Sequence, residues 1–305
     1  KICAIGQASV MNLYDTERLK NPSERINNAG GNDITWAAAD DKIIAQLKSA
    51  ASSGKEIVII TNKINSPSQK KLLTEDFKTA YPTAKVYSFE LFSDANKNSA
   101  FEKCYGVKTF PIVQLDKANV ILALESDFLG NEGNKVENSR LYSQRRDAFN
   151  GEEFNRLYSV EGNASVTGMN ADYRMILRTD AIEEFVYCLL NEFVSKQKVS
   201  ALSADGGVTG KLQSYNLSSF IEKNNLSKET VAHLIDDLKK NQGSSFVTAG
   251  SMLPESTHIA VNLLNEVLGN NKLYIKDVST VEQIPLSSKS ELENLISDMQ
   301  SGKVG

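Results

Sequence analysis

The sequence of 305 residues lacks the patterns that mark membrane-spanning and nucleic-acid-binding proteins. No run of about 18 or more apolar residues occurs, so no segment is expected to span a membrane. The net charge is −4 and the basic tracts are short, as in Lys70-Lys71 and Arg145-Arg146. Nucleic acid binding needs a clustered positive surface, so the sequence gives no electrostatic reason to expect it.

The motifs of the commonest catalytic and nucleotide-binding sites are also missing. The sequence contains no G-x-G-x-x-G fingerprint, no P-loop and no G-x-S-x-G motif. Its two histidines, His233 and His258, both fall in helical patterns. A Ser-His-Asp hydrolase needs a nucleophile within hydrogen-bond reach of a base, so that class of enzyme is not expected.

Cysteine is scarce, with three residues at Cys3, Cys104 and Cys188. Their wide spacing does not favour a thiolate metal site, which uses close pairs such as C-x₂-C. Cys188 lies in an apolar helical pattern and is expected to be a small buried hydrophobe. An iron–sulfur cluster needs about four thiolates, so Cys3 is a cluster ligand only if further cysteines precede it in a longer chain.

Short apolar runs alternate with helical patterns along the chain. This alternation predicts an α/β fold with mostly parallel sheets covered by helices. Near-continuous apolar composition is typical of strands that are buried on both faces. The predicted strands are Glu56–Thr61, Ala84–Phe89, Asn119–Leu124, Asn155–Val160, Ser245–Ala249 and Lys272–Lys276.

Capping residues predict where several helices begin and end. Thr35 and Ser66 are expected N-caps, and Ser288 is expected to form a capping box with Glu291. Two further helices are predicted over Ser227–Asn241 and Pro254–Leu268, the second ended by Gly269. Two polar, Gly-containing stretches are predicted to be loops, Asn21–Asp33 and Ser200–Ser214.

Acidic and small residues follow two of the predicted strands, where open α/β sheets bind ligands. Glu125, Ser126 and Asp127 come directly after the strand Asn119–Leu124, and Glu161 comes directly after the next strand. A terminal acid such as Glu161 is suited to a ribose or guanine edge, and the small residues after it would let backbone amides approach a phosphate. Neither loop matches a nucleotide fingerprint, so well-ordered structural turns remain the alternative.

The opening run KICAIGQASVMNLYDTERL resembles the end of the N-terminal cluster segment of the molybdopterin oxidoreductase superfamily. In that family a cysteine before a short Gly-containing turn supplies the last thiolate of an iron–sulfur cluster, which implies this role for Cys3. The runs ANVILALESDF and SVEGNASVTGMNAD are similar to two family segments that contact the cofactor nucleotide. The resemblance therefore implies nucleotide-site positions at Glu125, Ser126, Asp127, Glu161, Asn163 and Asp172.

The chain departs from this family at several of the same positions. The family's Pro and Arg after the first acid are Gly162 and Asn163 here, and Glu125-Ser126-Asp127 replaces Gly-Ala-Asn. Two carboxylates then stand where an anionic nucleotide has to approach, and like charges oppose binding. The region that holds the molybdenum ligand in catalytic members offers Ser93, Asp94 and Cys104, none in a family-like context.

One branch of the superfamily shares these losses. The chain looks most like the iron–sulfur subunit of alternative complex III, a quinol:electron-acceptor oxidoreductase of bacterial membranes. That subunit carries a molybdopterin-oxidoreductase-like domain without a molybdenum cofactor, followed by a domain with ferredoxin-like clusters. The resemblance implies a fragment of such a subunit, with two Rossmann-like lobes like those of formate dehydrogenase and dimethyl sulfoxide reductase.

The same resemblance implies a division of the chain and a function. Residues 1–34 are expected to be a remnant of the cluster segment, residues 35–112 with 288–305 a first lobe, and residues 113–287 a second lobe resembling a nucleotide-binding domain. The implied function is a scaffold for electron transfer elsewhere, with no catalytic residue and no cofactor in this fragment. Iron–sulfur clusters are expected in the full-length protein.

The implied partners are the other subunits of a membrane-bound respiratory complex, on the periplasmic side of the bacterial inner membrane. Two alternatives stay open. One is a fragment of a catalytic bis-molybdopterin guanine dinucleotide oxidoreductase, and the other is a small-molecule-binding protein of two α/β lobes.

Overall fold

The computed structural model describes residues 4–25, 31–147, 149, 154–279 and 284–305, with side chains described up to residue 275 in the last strand. In these ranges the protein is α/β, with parallel sheets covered by helices, as predicted. It divides into two compact units, the first formed by Lys1–Leu91 and Val281–Gly305 and the second by Phe92–Thr280. None of the described helices is long and apolar enough to cross a membrane.

The strands are β1 (Ser23–Glu24), β2 (Asn32–Asp33), β3 (Ile57–Thr61), β4 (Ala84–Ser88), β5 (Pro111–Val113), β6 (Val120–Leu124), β7 (Arg156–Glu161), β8 (Tyr173–Ile176), β9 (Ser245–Ala249) and β10 (Tyr274–Ser279). The helices are α1 (Ala4–Ala8), α2 (Trp36–Ser52), α3 (Pro67–Lys71), α4 (Phe77–Ala80), α5 (Ala95–Tyr105), α6 (Lys135–Ser143), α7 (Val166–Met169), α8 (Ile182–Asn191), α9 (Gly206–Leu212), α10 (Leu217–Lys223), α11 (Lys228–Lys240), α12 (Glu255–Val267) and α13 (Lys289–Gln300). A π-helical turn at Leu72–Asp76 joins α3 to α4, and another at Glu192–Lys196 extends α8.

The first unit contains the parallel pair β3–β4 and helices whose ends follow the predicted caps. Thr35 accepts a hydrogen bond from the Ala38 amide and Ser66 accepts one from the Gln69 amide. Ser288 and Glu291 form the predicted capping box at the start of α13. Each cap satisfies amide groups that have no partner inside the helix, which explains why these helix starts were predictable.

The second unit is built on a parallel sheet in the strand order β8-β7-β6-β9. Alternate residues of β6 serve two apolar cores, because successive side chains of a strand point to opposite faces. Leu122 and Leu124 pack with α8, α10, α11 and α12 on one face. Ile121 and Ala123 pack on the other face with Phe101, Phe128 and Tyr274.

The division between the units differs from the expected boundaries at 112/113 and 287/288. Helix α5 belongs to the second unit because Phe101, which is fully buried, packs edge-on against Phe110 and Tyr274. The prediction of a loop over Ser200–Ser214 was wrong, since that stretch contains α9. Asp205 caps that helix by accepting from the Gly207 and Val208 amides.

Candidate functional site

The strand order of the second unit defines where a ligand site is expected. The chain moves from β6 to β7 and β8 on one side, and it returns to β9 on the other side of β6. In open parallel sheets, ligands bind at such a switch, beyond the carboxyl ends of the strands. The crevice between the ends of β6 and β9 is therefore the candidate site.

The carboxylate of Glu132 occupies this crevice. Ser126, just after β6, donates its hydroxyl to Glu132 Oε2 at 2.9 Å. The Ser251 amide, just after β9, donates to Glu132 Oε1 at 3.0 Å. Burial raises the pKa of Glu132, and the positive charge of Lys97 opposes that shift. The chain's own carboxylate thus takes the backbone and hydroxyl donors that a bound anion would use.

The backbone also closes the crevice at Gly250. Its amide donates to the Leu124 carbonyl at 2.8 Å, which draws the two strand ends together. A Cβ built on Gly250 would lie 2.0 Å from the Glu125 carbonyl oxygen, so only glycine fits this approach. Glu125 itself has φ of 50°, a conformation that is strained for a residue with a side chain.

Glu125 and Asp127 tie the loop after β6 to the loop after β7. Glu125 Oε1 accepts hydrogen bonds from the Gly162 amide at 2.7 Å and from Thr179 Oγ1 at 2.9 Å. Asp127 Oδ1 accepts from the Thr167 amide at 2.9 Å, and its Oδ2 accepts from the Asn131 amide at 3.0 Å. Both carboxylates therefore hold loops of the protein together through hydrogen bonds.

Glu161 is buried at the end of β7 and is satisfied by its neighbours. Its Oε1 accepts from Arg174 Nε at 2.7 Å and from the Ser165 amide at 3.2 Å, and its Oε2 accepts from Ser165 Oγ at 2.6 Å. Burial by itself would raise the pKa of Glu161, but the hydrogen bonds from Arg174 and Ser165 outweigh it and lower that pKa. The Gly168 Cα packs against this carboxylate, where a Cβ would lie 1.8 Å from Oε1.

Asp172 lies at the opposite edge of the sheet from the crevice. It precedes β8, and its Oδ2 accepts from the Leu157 amide, near the start of β7, at 2.7 Å. Since β7 continues to Glu161, the two acids are separated by roughly 13 Å along the strands. Arg146 forms an ion pair with Asp172. Burial by itself would raise the pKa of Asp172, but the hydrogen bonds from Arg146 and the Leu157 amide outweigh it and lower that pKa.

The remaining predicted positions are scattered. Asn163 is exposed in the loop after β7. Asp94 and Cys104 lie before and near the end of α5, about 15 Å apart along the helix axis, so they do not form one metal site. Cys3 lies outside the described residues. Cys188 is buried, and burial raises the pKa of its thiol to about 12. In the described part of the chain, no three His, Cys, Asp or Glu residues are arranged to hold a metal ion.

The structure thus brings Glu125, Ser126, Asp127 and Glu161 to one edge of the sheet, and it leaves Asp172 at the other. Sequence reasoning missed Glu132 and Gly250, which do most to fill the crevice. Gly250 directly follows a predicted strand, so the small residue there was the available indication. Glu132 sits in a polar turn, and nothing in its local sequence indicates that its side chain folds back between two strands.

An anionic pyranopterin nucleotide does not fit these residues. Its phosphates would meet the carboxylates of Glu125, Asp127 and Glu132, and the donors at the crevice are already used. The pocket between Phe110, Phe128 and Phe246 beside β9 has a volume of about 80 Å³. Small-molecule sites commonly measure about 300–1,000 Å³, so this pocket is too small for a dinucleotide, whereas the open pocket lined by Asp94, Glu132, Ser251 and Met252 measures about 410 Å³ and is opposed to an anion by its charge rather than by its volume.

No family model matches the chain, and no curated protein sequence matches it significantly.

Proposed function

We propose that this chain is a molybdopterin-oxidoreductase-like domain that binds no molybdenum cofactor of its own. It serves as a scaffold in the iron–sulfur subunit of a respiratory quinol oxidoreductase, on the periplasmic side of the bacterial inner membrane. Electron transfer takes place in cluster-bearing parts of the full-length protein, and the partners are the other subunits of that membrane-bound complex. The resemblance of the opening run and of the two loop segments supports the family.

One observation carries the cofactor-free part of the proposal. The Glu132 carboxylate accepts from Ser126 and from the Ser251 amide at the switch point of the sheet. Binding a nucleotide phosphate there would require displacing the Glu132 carboxylate from its two donors, and a buried acceptor that loses its hydrogen bonds costs about 1–3 kcal/mol. Glu125 and Asp127 add to the repulsion of an anion at the same edge.

Calorimetric titration of the chain with GDP tests this part directly, because GDP carries both the guanine and a diphosphate. We expect no saturable heat at millimolar GDP. Micromolar binding that Glu161→Gln weakens would contradict the proposal and favour the catalytic alternative, in which Glu161, Asn163 and Asp172 line a working nucleotide site.

The scaffold role is tested separately in the native host. A full-length subunit that lacks this domain is expected to leave the complex unassembled on native gels, with quinol oxidation lost. Assembly of an active complex without the domain would contradict the scaffold role, whatever the nucleotide titration shows.

A second candidate is a small-molecule-binding protein, favoured by one pocket in front of Glu132. This open pocket, of about 410 Å³, is lined by Asp94, Glu132, Ser251 and Met252 among others. Two carboxylates fit a small amine or polyol rather than an anion. Thermal stabilisation by such a compound, lost in Asp94→Asn, would support this candidate, and no stabilisation across a panel of amines and polyols would reject it.

A further inference from the structure

The apolar pocket beside β9 is a gap within one core of the second unit. It has a volume of about 80 Å³, and β5 and β9 both contribute to its wall. The apolar side chains that line it are Phe110, Ile112, Val113, Leu115, Phe128 and Phe246. Four of these six side chains are at most 8% exposed, because they belong to the core on this face of the sheet.

A gap of this size suits a small alkyl group. A single water needs only about 10–15 Å³ of such volume, and apolar walls offer a water few hydrogen-bond partners. Apolar cavities of about 150 Å³ bind benzene, so a gap of about 80 Å³ fits a smaller group, such as a branched chain of about four carbons. Filling the gap would restore the dispersion contacts that its wall atoms lack.

The polar side chains around this pocket are largely used within the protein. Asn98 Oδ1 accepts from the Phe110 amide at 2.8 Å, and Asn138 Nδ2 donates to the Phe128 carbonyl at 3.2 Å. Glu137 lies 3.9 Å from a guanidinium nitrogen of Arg140. The pocket therefore offers a ligand mainly apolar contacts.

The apolar pocket adjoins the open pocket in front of Glu132, which we call the acidic pocket. Asp94 and Gly133 line both pockets. Ser251 donates its hydroxyl to Asp94 Oδ1, and no described residue donates to Asp94 Oδ2. A ligand that fills the apolar pocket would therefore place its head group beside a carboxylate oxygen with free lone pairs.

The charges around the head group favour an ammonium. Each carboxylate oxygen of Glu132 accepts one hydrogen bond from the protein and has a second lone pair to offer. Lys97 opposes an ammonium, but its own cationic group lies over the Phe110 ring, 4.3 Å from the ring centroid. Asp94 and Glu132 outnumber this cation, so a positive head group is attracted more strongly than it is repelled.

We propose that the two pockets together bind a primary amine that carries a short branched alkyl group. The alkyl group fills the apolar pocket, and the ammonium donates to Asp94 Oδ2 and to the carboxylate of Glu132. This site goes beyond the scaffold role. It rests on the acidic pocket of the small-molecule candidate and gives that candidate a defined class of ligand.

The test titrates the chain with 3-methylbutylamine and with three compounds that each change one feature. Methylamine keeps the ammonium and lacks the branched chain. The alcohol 3-methylbutan-1-ol replaces the ammonium with a neutral hydroxyl, and 3-methylbutanoate reverses the charge. Binding is followed by NMR from the methyl signals of Ile112 and Val113, with the methyl signals of Ile57 in the first unit as the reference.

We expect 3-methylbutylamine to shift the signals of Ile112 and Val113 saturably, with a Kd of about 1 mM or below, and to leave Ile57 unchanged. Each buried CH₂ group contributes about fourfold in affinity, so methylamine should bind roughly a hundredfold more weakly. The alcohol and the carboxylate should bind at least about tenfold more weakly.

Three results of the titration would overturn the proposal. The first is the absence of a saturable shift with 3-methylbutylamine, and the second is equal or tighter binding of 3-methylbutanoate. The third is equal affinity for methylamine, which would remove the role of the apolar pocket and leave the small-amine candidate standing. None of these results bears on the assembly test of the scaffold role.

Charge variants test which groups hold the ammonium. Asp94→Asn should weaken binding of 3-methylbutylamine at least about tenfold. The matched control Asp180→Asn removes the same charge from a side chain that is 66% exposed, and it should change the affinity less than about twofold. Lys97→Met removes the opposing cation and should strengthen binding by about twofold to fivefold.

The methyl signals of each variant without ligand show that the unit is folded. Unchanged binding in Asp94→Asn would overturn the proposal. Loss of binding in Lys97→Met would also overturn it, because the site would then recognise an anionic group through Lys97.

Discussion

The ion pair between Glu161 and Arg174 gives the sharpest test that the crevice residues are used structurally. The side chain of Glu161 is 3% exposed and that of Arg174 is 29% exposed, with 2.7 Å between Oε1 and Nε. Arg174→Met keeps most of the aliphatic stem of Arg174 and removes its charge. The resulting loss of stability therefore measures the ion pair more than the packing of the side chain.

The expected magnitude lies between two limits. Removing one partner of a fully buried pair costs about 3–5 kcal/mol, whereas an exposed pair contributes about 0–1 kcal/mol. Glu161 keeps the amide and hydroxyl of Ser165 in the variant, and water can reach it where Arg174 was. We therefore expect Arg174→Met to lower the free energy of unfolding by about 2 kcal/mol at pH 7.

The pH dependence has a defined sign. The pKa of Glu161 is lowered in the folded protein, so its stabilising effect is fully present above its unfolded pKa of 4.5. That effect is lost as the pH falls through the lowered folded value. The difference between the wild type and Arg174→Met should therefore shrink below pH 4.5, as Glu161 becomes protonated.

Urea unfolding followed by circular dichroism measures both effects, with Arg178→Met as the matched control. Arg178 pairs with Asp180, and both side chains are largely exposed, at 83% and 66%. Arg178→Met should lower the free energy of unfolding by no more than about 0.5 kcal/mol at any pH. If Arg174→Met cost as little as Arg178→Met, and its cost did not change with pH, the structural role of Glu161 would be refuted.

Three further substitutions test the surroundings of the crevice by urea unfolding. Gly250→Ala should lower the free energy of unfolding by about 3 kcal/mol or more, because the added Cβ meets the Glu125 carbonyl. Its control, Gly210→Ala, lies in open space within α9 and should raise the free energy of unfolding by about 0.5–1 kcal/mol. Equal effects of the two substitutions would contradict the close approach of Gly250 to Glu125. Burial raises the pKa of Glu132, so its charged form destabilises the folded protein at pH 7, and Glu132→Gln should be at least as stable as the wild type there. In acid the carboxyl is protonated in both the folded and the unfolded state, so the difference between the two proteins should vanish. A large loss of stability in Glu132→Gln at pH 7 would contradict this prediction. Burial lowers the pKa of His258 to about 4, so His258 stays neutral in the folded protein at a pH where it is protonated in the unfolded chain. The free energy of unfolding of the wild type should therefore fall by about 2 kcal/mol between pH 6.5 and 4.5 relative to that of His258→Gln. Parallel plots of stability against pH for the two proteins would exclude this contribution.

Local sequence predicted the parts of the fold whose cause is local. Strand β9 was predicted with its observed ends, and all five of its residues are buried. The Ser288 capping box was predictable because both of its partners lie within one turn. Strand β8 was missed, since only Met175 of its residues is buried and the others give no apolar run.

The site was less predictable because its contacts join distant parts of the chain. The residues after β6 and β7 were found from strand ends alone, and four of them do lie at one edge. Asp172 was grouped with them through the family resemblance, but the segment that contains helix α7 carries the chain back to the start of β7 between the two acids. The position of Glu132 depends on Ser251, 119 residues later, and no local pattern encodes such a contact.

The metal and nucleotide content of the full-length protein, purified from its native host, tests the central claim most directly. Molybdenum is measured by mass spectrometry of the digested protein, and guanine nucleotide by chromatography after denaturation. The scaffold account predicts neither above background, together with iron that belongs to clusters elsewhere in the protein. About one molybdenum per chain with bound guanine nucleotide would contradict it.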